Sequence, residues 1–253
     1  MLNKVPEITL FFWIIKILCT TVGETGADFL NTNLNLGLDG VTLIIGVMLA
    51  VTLVFQFKTK KYVPGIYWLA VVLISIVGTL ITDNLTDKLG IPLMYTTIIF
   101  TVLLSIVFAV WYKKEKTLSI HTIVTSKREA FYWLAILFTF ALGTAAGDLL
   151  AETINLGYLL SAIIFGALIG SVALSHFVFK VDAILAFWIA YILTRPLGAS
   201  IGDYLSQDAS NGGLGFGTVI TSMIFLGTIL ATVIYLTITK KDVIRKSNFG
   251  DQV

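Results

Sequence analysis

The 253-residue chain is short of the residues most soluble enzymes rely on: it has one cysteine, two histidines and few charges. A lone cysteine, Cys19, excludes an intramolecular disulfide and leaves no set of thiolates for a metal cluster. His121 falls in a basic loop and His176 near the end of an apolar segment, so they are read as solvated and interfacial rather than as ligands. Charged residues are 13% of the chain, against about 25% in an average globular protein. With 57% hydrophobic residues, this composition excludes a soluble domain. No phosphate-binding glycine loop, zinc-protease helix or flavin fingerprint occurs. Nucleotide-driven work would therefore need another subunit. No nucleophile constellation stands out, so the chain is read as a non-enzyme without a resident cofactor. The net charge of +2 gives no reason to expect nucleic acid as a partner.

What the chain does have is apolar length. Eight segments are long enough to cross a bilayer: 8–31, 36–57, 64–87, 91–112, 129–153, 156–179, 181–206 and 213–239. The first contains Lys16, Glu24 and Asp28 and lacks a small-residue cleavage site, so it reads as a helix and not as a signal peptide. Fourteen of the seventeen basic residues lie in the N-terminal segment, the tail (Lys240, Lys241, Arg245, Lys246) and the loops on that side; the opposite loops hold only Lys88. The positive-inside rule then predicts both termini in the cytoplasm.

Within four of the segments a pattern recurs. Trp13 and Asp28, Trp68 and Asp83, Trp133 and Asp148, and Trp188 and Asp203 each stand fifteen residues apart, and Gly23, Gly78, Gly143 and Gly198 each lie ten residues after the tryptophan. The tryptophans are 55, 65 and 55 residues apart, so the second half repeats the first at an offset of 120. Asn35-Leu36-Gly37 returns at that offset as Asn155-Leu156-Gly157. The pattern predicts an all-α membrane protein of eight helices in four parallel two-helix repeats. It divides the chain into a half-bundle over 1–120 and a second over 121–253.

Helical periodicity turns the pattern into two stripes. Gly23/Ala27, Gly78/Thr82, Gly143/Gly147 and Gly198/Gly202 form a small-residue stripe suited to close helix packing. Glu24-Asp28-Thr32, Thr79-Asp83-Asp87, Thr144-Asp148-Glu152 and Ala199-Asp203-Gln207 form a polar stripe beside it. The tryptophans read as interfacial anchors. At 1.5 Å per residue the glycine is about 15 Å and the aspartate about 22 Å further along the helix. A carboxylate inside a membrane helix costs roughly 2.5–3.5 kcal/mol on insertion scales. A fourfold repetition of that cost points to a shared polar site.

Charge indicates what the site would hold. Seven acidic residues on the motif helices face two basic ones, Lys16 and Arg195. Lys16 is read as snorkelling to the cytoplasmic interface. Arg195, in Thr194-Arg195-Pro196, stands where the other repeats carry Thr20, Ser75 and Phe140. It is read either as a counter-ion that balances charge or as a lock between helices. Carboxylates with threonine hydroxyls suit hard divalent cations, and clustered carboxylates exchange protons as a coupled set. Asp28, Asp83, Asp148 and Asp203, assisted by Glu24, are therefore the candidate metal ligands.

With its repeats Gly23-Glu24-Thr25-Gly26-Ala27-Asp28, Gly78 to Asp83, Gly143 to Asp148 and Gly198 to Asp203, the chain resembles bacterial multi-pass membrane proteins of unknown function that carry four copies of a Gly-x4-Asp repeat. The resemblance covers nearly the whole chain and implies a bacterial inner-membrane location without an activity. A fainter similarity links Glu24-Thr25-Gly26-Ala27-Asp28 to cation exchangers with a Glu-x-Gly-Asp motif, by analogy only. The leading expectation is a secondary transporter exchanging a divalent, Mn²⁺-like cation for protons, in which Asp83→Asn abolishes transport. The bilayer, the cation substrate and protons are then the partners, and a homo-oligomer is compatible with the sequence. An exporter of small organic cations and a non-transporting scaffold or sensor are the competing expectations.

Overall fold

The computed structural model describes residues 2–33 and 37–243. Asn35, Leu36, Arg245 and Lys246 lie outside the described residues, as does the side chain of Thr32. The described chain forms α1 (Leu10–Asn33), α2 (Gly37–Lys58), α3 (Pro64–Asp83), α4 (Leu93–Glu115), α5 (Ser126–Asp148), α6 (Tyr158–Phe179), α7 (Ala183–Ser206) and α8 (Gly217–Thr239). All eight are long and apolar enough to cross a membrane, and no strand occurs among the described residues. Helices satisfy their own backbone groups, which is why a chain this apolar forms little else.

Local sequence sets several boundaries. Pro64 opens α3 in the first turn, where its missing N–H is not needed. The Thr125 side chain caps α5 by accepting from the Arg128 amide, so this helix starts three residues before the hydropathy limit. The last helix starts four residues after it. There the chain makes a short 3₁₀ turn at Ala209–Asn211, and Gly212 and Gly215 take positive φ angles of 84° and 74°, which side chains disfavour. Two motif helices change their winding at the far end: α3 runs into a π-helical turn at Asn84–Lys88, and α5 into one at Leu149–Thr153.

The four motif helices close a ring. Gly23 of α1 packs against Ser75 of α3, Gly78 of α3 against Phe140 of α5, Gly143 of α5 against Arg195 of α7, and Gly198 of α7 against Thr20 of α1. Every glycine meets the residue seven after the neighbour's tryptophan, so the helices run in one direction in one register. A Cβ on any of these glycines would overlap the facing side chain. In lipid, such close approach and interhelical hydrogen bonds hold helices together. Thr82 Oγ1 donates to the Ala141 carbonyl at 3.0 Å across the α3–α5 seam.

The plain helices interlock the ring. α2 packs mainly on α3, α4 on α5, α6 on α7, and α8 on α1. Each covers the motif helix of the next repeat, and the last returns to the first. Their other faces are apolar and exposed, with Leu43, Phe55, Ile106, Phe177 and Met223 among the outward side chains. This is the surface of a protein embedded in lipid.

The segments before α1 and after α8 meet at one end, here the terminal side. Lys4 Nζ donates to Glu129 Oε2 at 2.7 Å and to the Phe57 carbonyl at 2.9 Å, and the Glu7 amide donates to the Asp242 carbonyl at 2.9 Å. The tryptophans are on this side, but their role differs from the interfacial one. Trp68, Trp133 and Trp188 are buried, and Trp13 is half-buried. Trp68 Nε1 donates to Tyr62 Oη and Trp188 Nε1 to the Leu118 carbonyl, at 3.0 and 2.9 Å. Cover from the neighbouring helices and terminal-side loops turns them inward.

Candidate functional site

Equivalent residues of the four repeats stack in layers along the ring axis, four residues or about 6 Å apart. From the terminal side the first is Phe12, Tyr67, Tyr132 and Phe187, each just before its tryptophan. Lys16, Val71, Ile136 and Tyr191 follow, then Thr20, Ser75, Phe140 and Arg195, then Glu24, Thr79, Thr144 and Ala199. All sixteen side chains are buried. Asp28, Asp83, Asp148 and Asp203 form the fifth layer. Asp203 is still buried, whereas Asp28, Asp83 and Asp148 are partly exposed. Asp87 and Glu152, on the two π-helical turns, are exposed. The axis is thus buried from the aromatic layer up to Glu24, and exposure begins at the aspartate layer.

Arg195 fills the centre. It is fully buried, and the two hydrogens of its Nη2 are shared among Glu24 Oε2 at 2.8 Å, Thr144 Oγ1 at 2.7 Å and Thr79 Oγ1. Nη1 reaches the Thr20 carbonyl at 3.4 Å. Glu24, Thr79 and Thr144 occupy one repeat position on α1, α3 and α5. The fourth member is Ala199, one turn beyond Arg195 on the same helix, and its small side chain lets the guanidinium reach the other three. The arginine therefore bridges α7 to all three other motif helices. Gly143 makes room for its stem. Pro196, whose ring lies at the same contact, has no amide to donate to the preceding turn, yet α7 continues through it.

Of the five candidate ligands, three converge. Carboxylate oxygens of Glu24, Asp148 and Asp203 all lie within 4.8 Å of one another. Asp28 and Asp83 are not part of that group, but both lie within electrostatic range of Glu24, as do Asp148 and Asp203. Glu24 is the residue every aspartate shares. Hard cations hold oxygens at about 2.3–2.6 Å, so carboxylate oxygens grouped this closely can be gathered by one ion.

Lys16 does not snorkel. It is fully buried, and its Nζ rests on the rings of Phe140 and Tyr191, 4.1 and 4.2 Å from their centroids. The ring contacts are cation–π in geometry. Arg195 lies over the same Phe140 ring, 5.8 Å from its centroid.

Two features of the site do not follow from the polar stripe. One is the aromatic layer, in which Tyr67 and Tyr132 hydrogen-bond through their hydroxyls. Its signal is the tryptophan spacing shifted by one residue. The other is the use of Thr79 and Thr144 as Arg195 acceptors, which only the ring closure reveals.

Fold and site together define a multi-pass helical membrane protein of four tandem repeats, with a partly exposed acidic layer next to a buried arginine. The chain belongs to the family described as Repeat of Unknown Function (DUF347), whose model matches residues 11–62, 66–117, 131–181 and 186–242. These four matches each span most of one motif helix and the plain helix that follows it. No curated protein and no solved structure matches the chain.

Proposed function

We propose that this protein is a secondary transporter that exchanges a divalent, Mn²⁺-like cation for protons across a bacterial inner membrane, with both termini in the cytoplasm. The observation that carries the reading is the convergence of Glu24, Asp148 and Asp203 beside a buried arginine. Five carboxyls on the axis face two cationic side chains, so three negative charges remain to be neutralised by protons or by a cation. Competition between the two for one coupled set of carboxylates is the exchange. The all-oxygen donor set favours hard ions.

Arg195 is the switch in this cycle. In the state described it takes one oxygen of Glu24, in place of the cargo. A cation drawn to Glu24, Asp148 and Asp203 weakens that ion pair, and Thr79 and Thr144 remain to hold the guanidinium. The four helices anchored through Arg195 are then free to repack, which alternating access requires. Asp28 and Asp83 act at the mouth, where they attract the ion and share its protons. The buried aromatic layer blocks a hydrated ion from the cytoplasmic side in this state.

The test is metal-induced thermal stabilisation of the detergent-purified protein with Mn²⁺, Mg²⁺, Ca²⁺ and Zn²⁺, followed by cation-driven pH change in proteoliposomes. A ligand at 100 times its Kd stabilises by about 2.7 kcal/mol, readily visible as a Tm shift. Asp203→Asn and Glu24→Gln should lose the shift, and Asp83→Asn should keep part of it yet lose transport. Absence of saturable stabilisation by every ion, with no cation-driven pH change, overturns the reading.

A further inference from the structure

The axis of the ring leaves the outer wall of the bundle unused, and that wall is not uniform. Between the terminal-side halves of α4 and α7 runs a groove of about 590 Å³, within the usual range of small-molecule sites, about 300–1,000 Å³. It follows from the interlock of the helices. α4 packs mainly on α5 and α6 on α7, and α4 reaches α7 through aromatic rings: Phe108 and Trp111 meet Trp188 at 4.9 and 5.8 Å between centroids. Phe108 and Tyr112 form one wall, Leu185, Ile189 and Ile192 the other, and Trp188 lies between them. The Trp188 N–H is already given to the Leu118 carbonyl, so the indole offers the groove an apolar face.

Charge enters at one end. Lys116, just past α4, and Asp182, just before α7, are the basic and the acidic residue among those that line the groove. Both are exposed, and both lie on the terminal side. Among the described residues neither belongs to an ion pair. Asp182 Oδ1 accepts from the Leu185 amide at 2.9 Å, which fixes the carboxylate at the start of α7 and leaves Oδ2 for another donor.

The length of the groove sets its depth in the membrane. From Asp182 to Ile192 is about 15 Å along the helix, at 1.5 Å per residue. That is half of a hydrocarbon core of about 30 Å, the depth of one leaflet. An apolar slot one leaflet deep, with an ammonium and a carboxylate at its surface end, complements a lipid whose headgroup carries both charges.

We propose that the α4–α7 groove is a binding site for phosphatidylethanolamine of the terminal-side leaflet. One acyl chain lies along Trp188 and Ile189, the phosphate meets Lys116, and the ammonium donates to Asp182. Phosphatidylglycerol satisfies the lysine but brings no cation to the carboxylate. Phosphatidylcholine brings a cation without an N–H to donate, and so lacks the charge-assisted hydrogen bond. A second groove, where α6 and α7 meet the start of α1, is lined by Trp13, Ala173 and Phe177 at the repeat positions of Trp188, Phe108 and Tyr112. Neither a lysine nor a carboxylate lines it, so it has the slot without the headgroup charges. The lipid site stands apart from the transport reading and does not depend on it.

The experiment uses the full-length protein in a non-ionic detergent, with lipids of matched chains brominated near their midpoint. Bromine quenches the fluorescence of a tryptophan it touches. In a Trp13→Phe background, which silences the second groove, the quenching reports Trp188. Phosphatidylethanolamine should reach half-quenching at a mole fraction about three- to fivefold below phosphatidylglycerol or phosphatidylcholine, the scale of one charge contact at an interface. Asp182→Asn keeps the helix cap, because asparagine caps as well as aspartate, and should abolish that preference. Lys116→Gln should weaken all three lipids alike, and Ile189→Phe, which narrows the slot, should reduce quenching by each. With Trp188→Phe in place of Trp13→Phe, Trp13 should be quenched equally by all three. Equal quenching of Trp188 by the three lipids, a preference for phosphatidylglycerol, or a preference for phosphatidylethanolamine that survives Asp182→Asn overturns the assignment.

Discussion

Arg195→Met tests the centre of the structure most directly. The substitution keeps the unbranched stem that Gly143 accommodates and removes the guanidinium. Glu24, only 5% exposed and 2.8 Å from Nη2, is left as a carboxylate in a dry core. Removing one partner of a buried pair typically costs about 3–5 kcal/mol. The threonines add little, because Thr79 and Thr144 also donate to the carbonyls one turn back, at 3.4 and 3.3 Å. The expected loss is therefore set by Glu24 alone. At roughly 2–4 °C per kcal/mol for a chain of this size, Tm should fall by about 10 °C. Glu24→Gln in the same background removes the stranded charge and should restore most of the loss, giving a coupling energy of about 3 kcal/mol, the upper end for neighbouring residues. The assay is thermal unfolding in detergent followed by tryptophan fluorescence, which the buried Trp68, Trp133 and Trp188 report. A single variant as stable as the wild type, or a double variant whose losses simply add, would refute the ion pair as the hub of the four helices.

Two further outcomes follow from the ring. Gly143→Ala should cost about 1–3 kcal/mol as an overpacked contact, because its Cβ would overlap the rigid base of Arg195 and lie 3.0 Å from Pro196 Cδ. Gly170→Ala, which meets nothing within 4 Å, should be neutral or gain up to about 1 kcal/mol from helix propensity; thermal unfolding of both checks the pair. A circular permutant that joins the terminal segments and opens the chain between α4 and α5 should fold with an unchanged cation-induced Tm shift, because the Glu7–Asp242 backbone bond places the ends together and α8 covers α1 as α4 covers α5.

Much of this arrangement was legible in the repeat itself. Hydropathy located all eight helices, and the fixed spacing marked which residues are equivalent. Under rotation about one axis, equivalent residues form layers, so a polar residue repeated inside apolar helices already implied a central site. The direction in which the tryptophans face was not legible, because an aromatic ring near a helix end has the same sequence signature at a lipid interface and inside a plug. Lys16 misled for a related reason: a long basic side chain near a membrane surface ordinarily reaches for water, and only the aromatic layer below it closes that path. The convergence of Glu24 with Asp148 and Asp203, rather than with the Asp28 of its own helix, depends on the order of the helices around the ring. That order is a tertiary property with no trace in spacing.

The ring is symmetric in its backbone and asymmetric in its charge, and the two can be separated. Subtracting the duplication offset of 120 carries Arg195 to Ser75 and Ala199 to Thr79. Ser75 lies against Gly23 as Arg195 lies against Gly143, so the room that a glycine provides for an arginine stem exists in both halves. An arginine moved by this rotation needs the alanine above it to move as well, since Thr79 would stand where Ala199 lets the guanidinium pass. The quadruple variant Arg195→Ser, Ser75→Arg, Thr79→Ala, Ala199→Thr should therefore fold, with the new arginine reaching Glu24 and Thr144 across the axis. Its Tm should lie well above that of Arg195→Ser alone, and Glu24→Gln should destabilise it as it does the wild type. If the rotated variant is no more stable than Arg195→Ser, the repeats are equivalent in sequence but not in the space they leave at the axis, and the particular surroundings of α7, Pro196 among them, position the arginine instead.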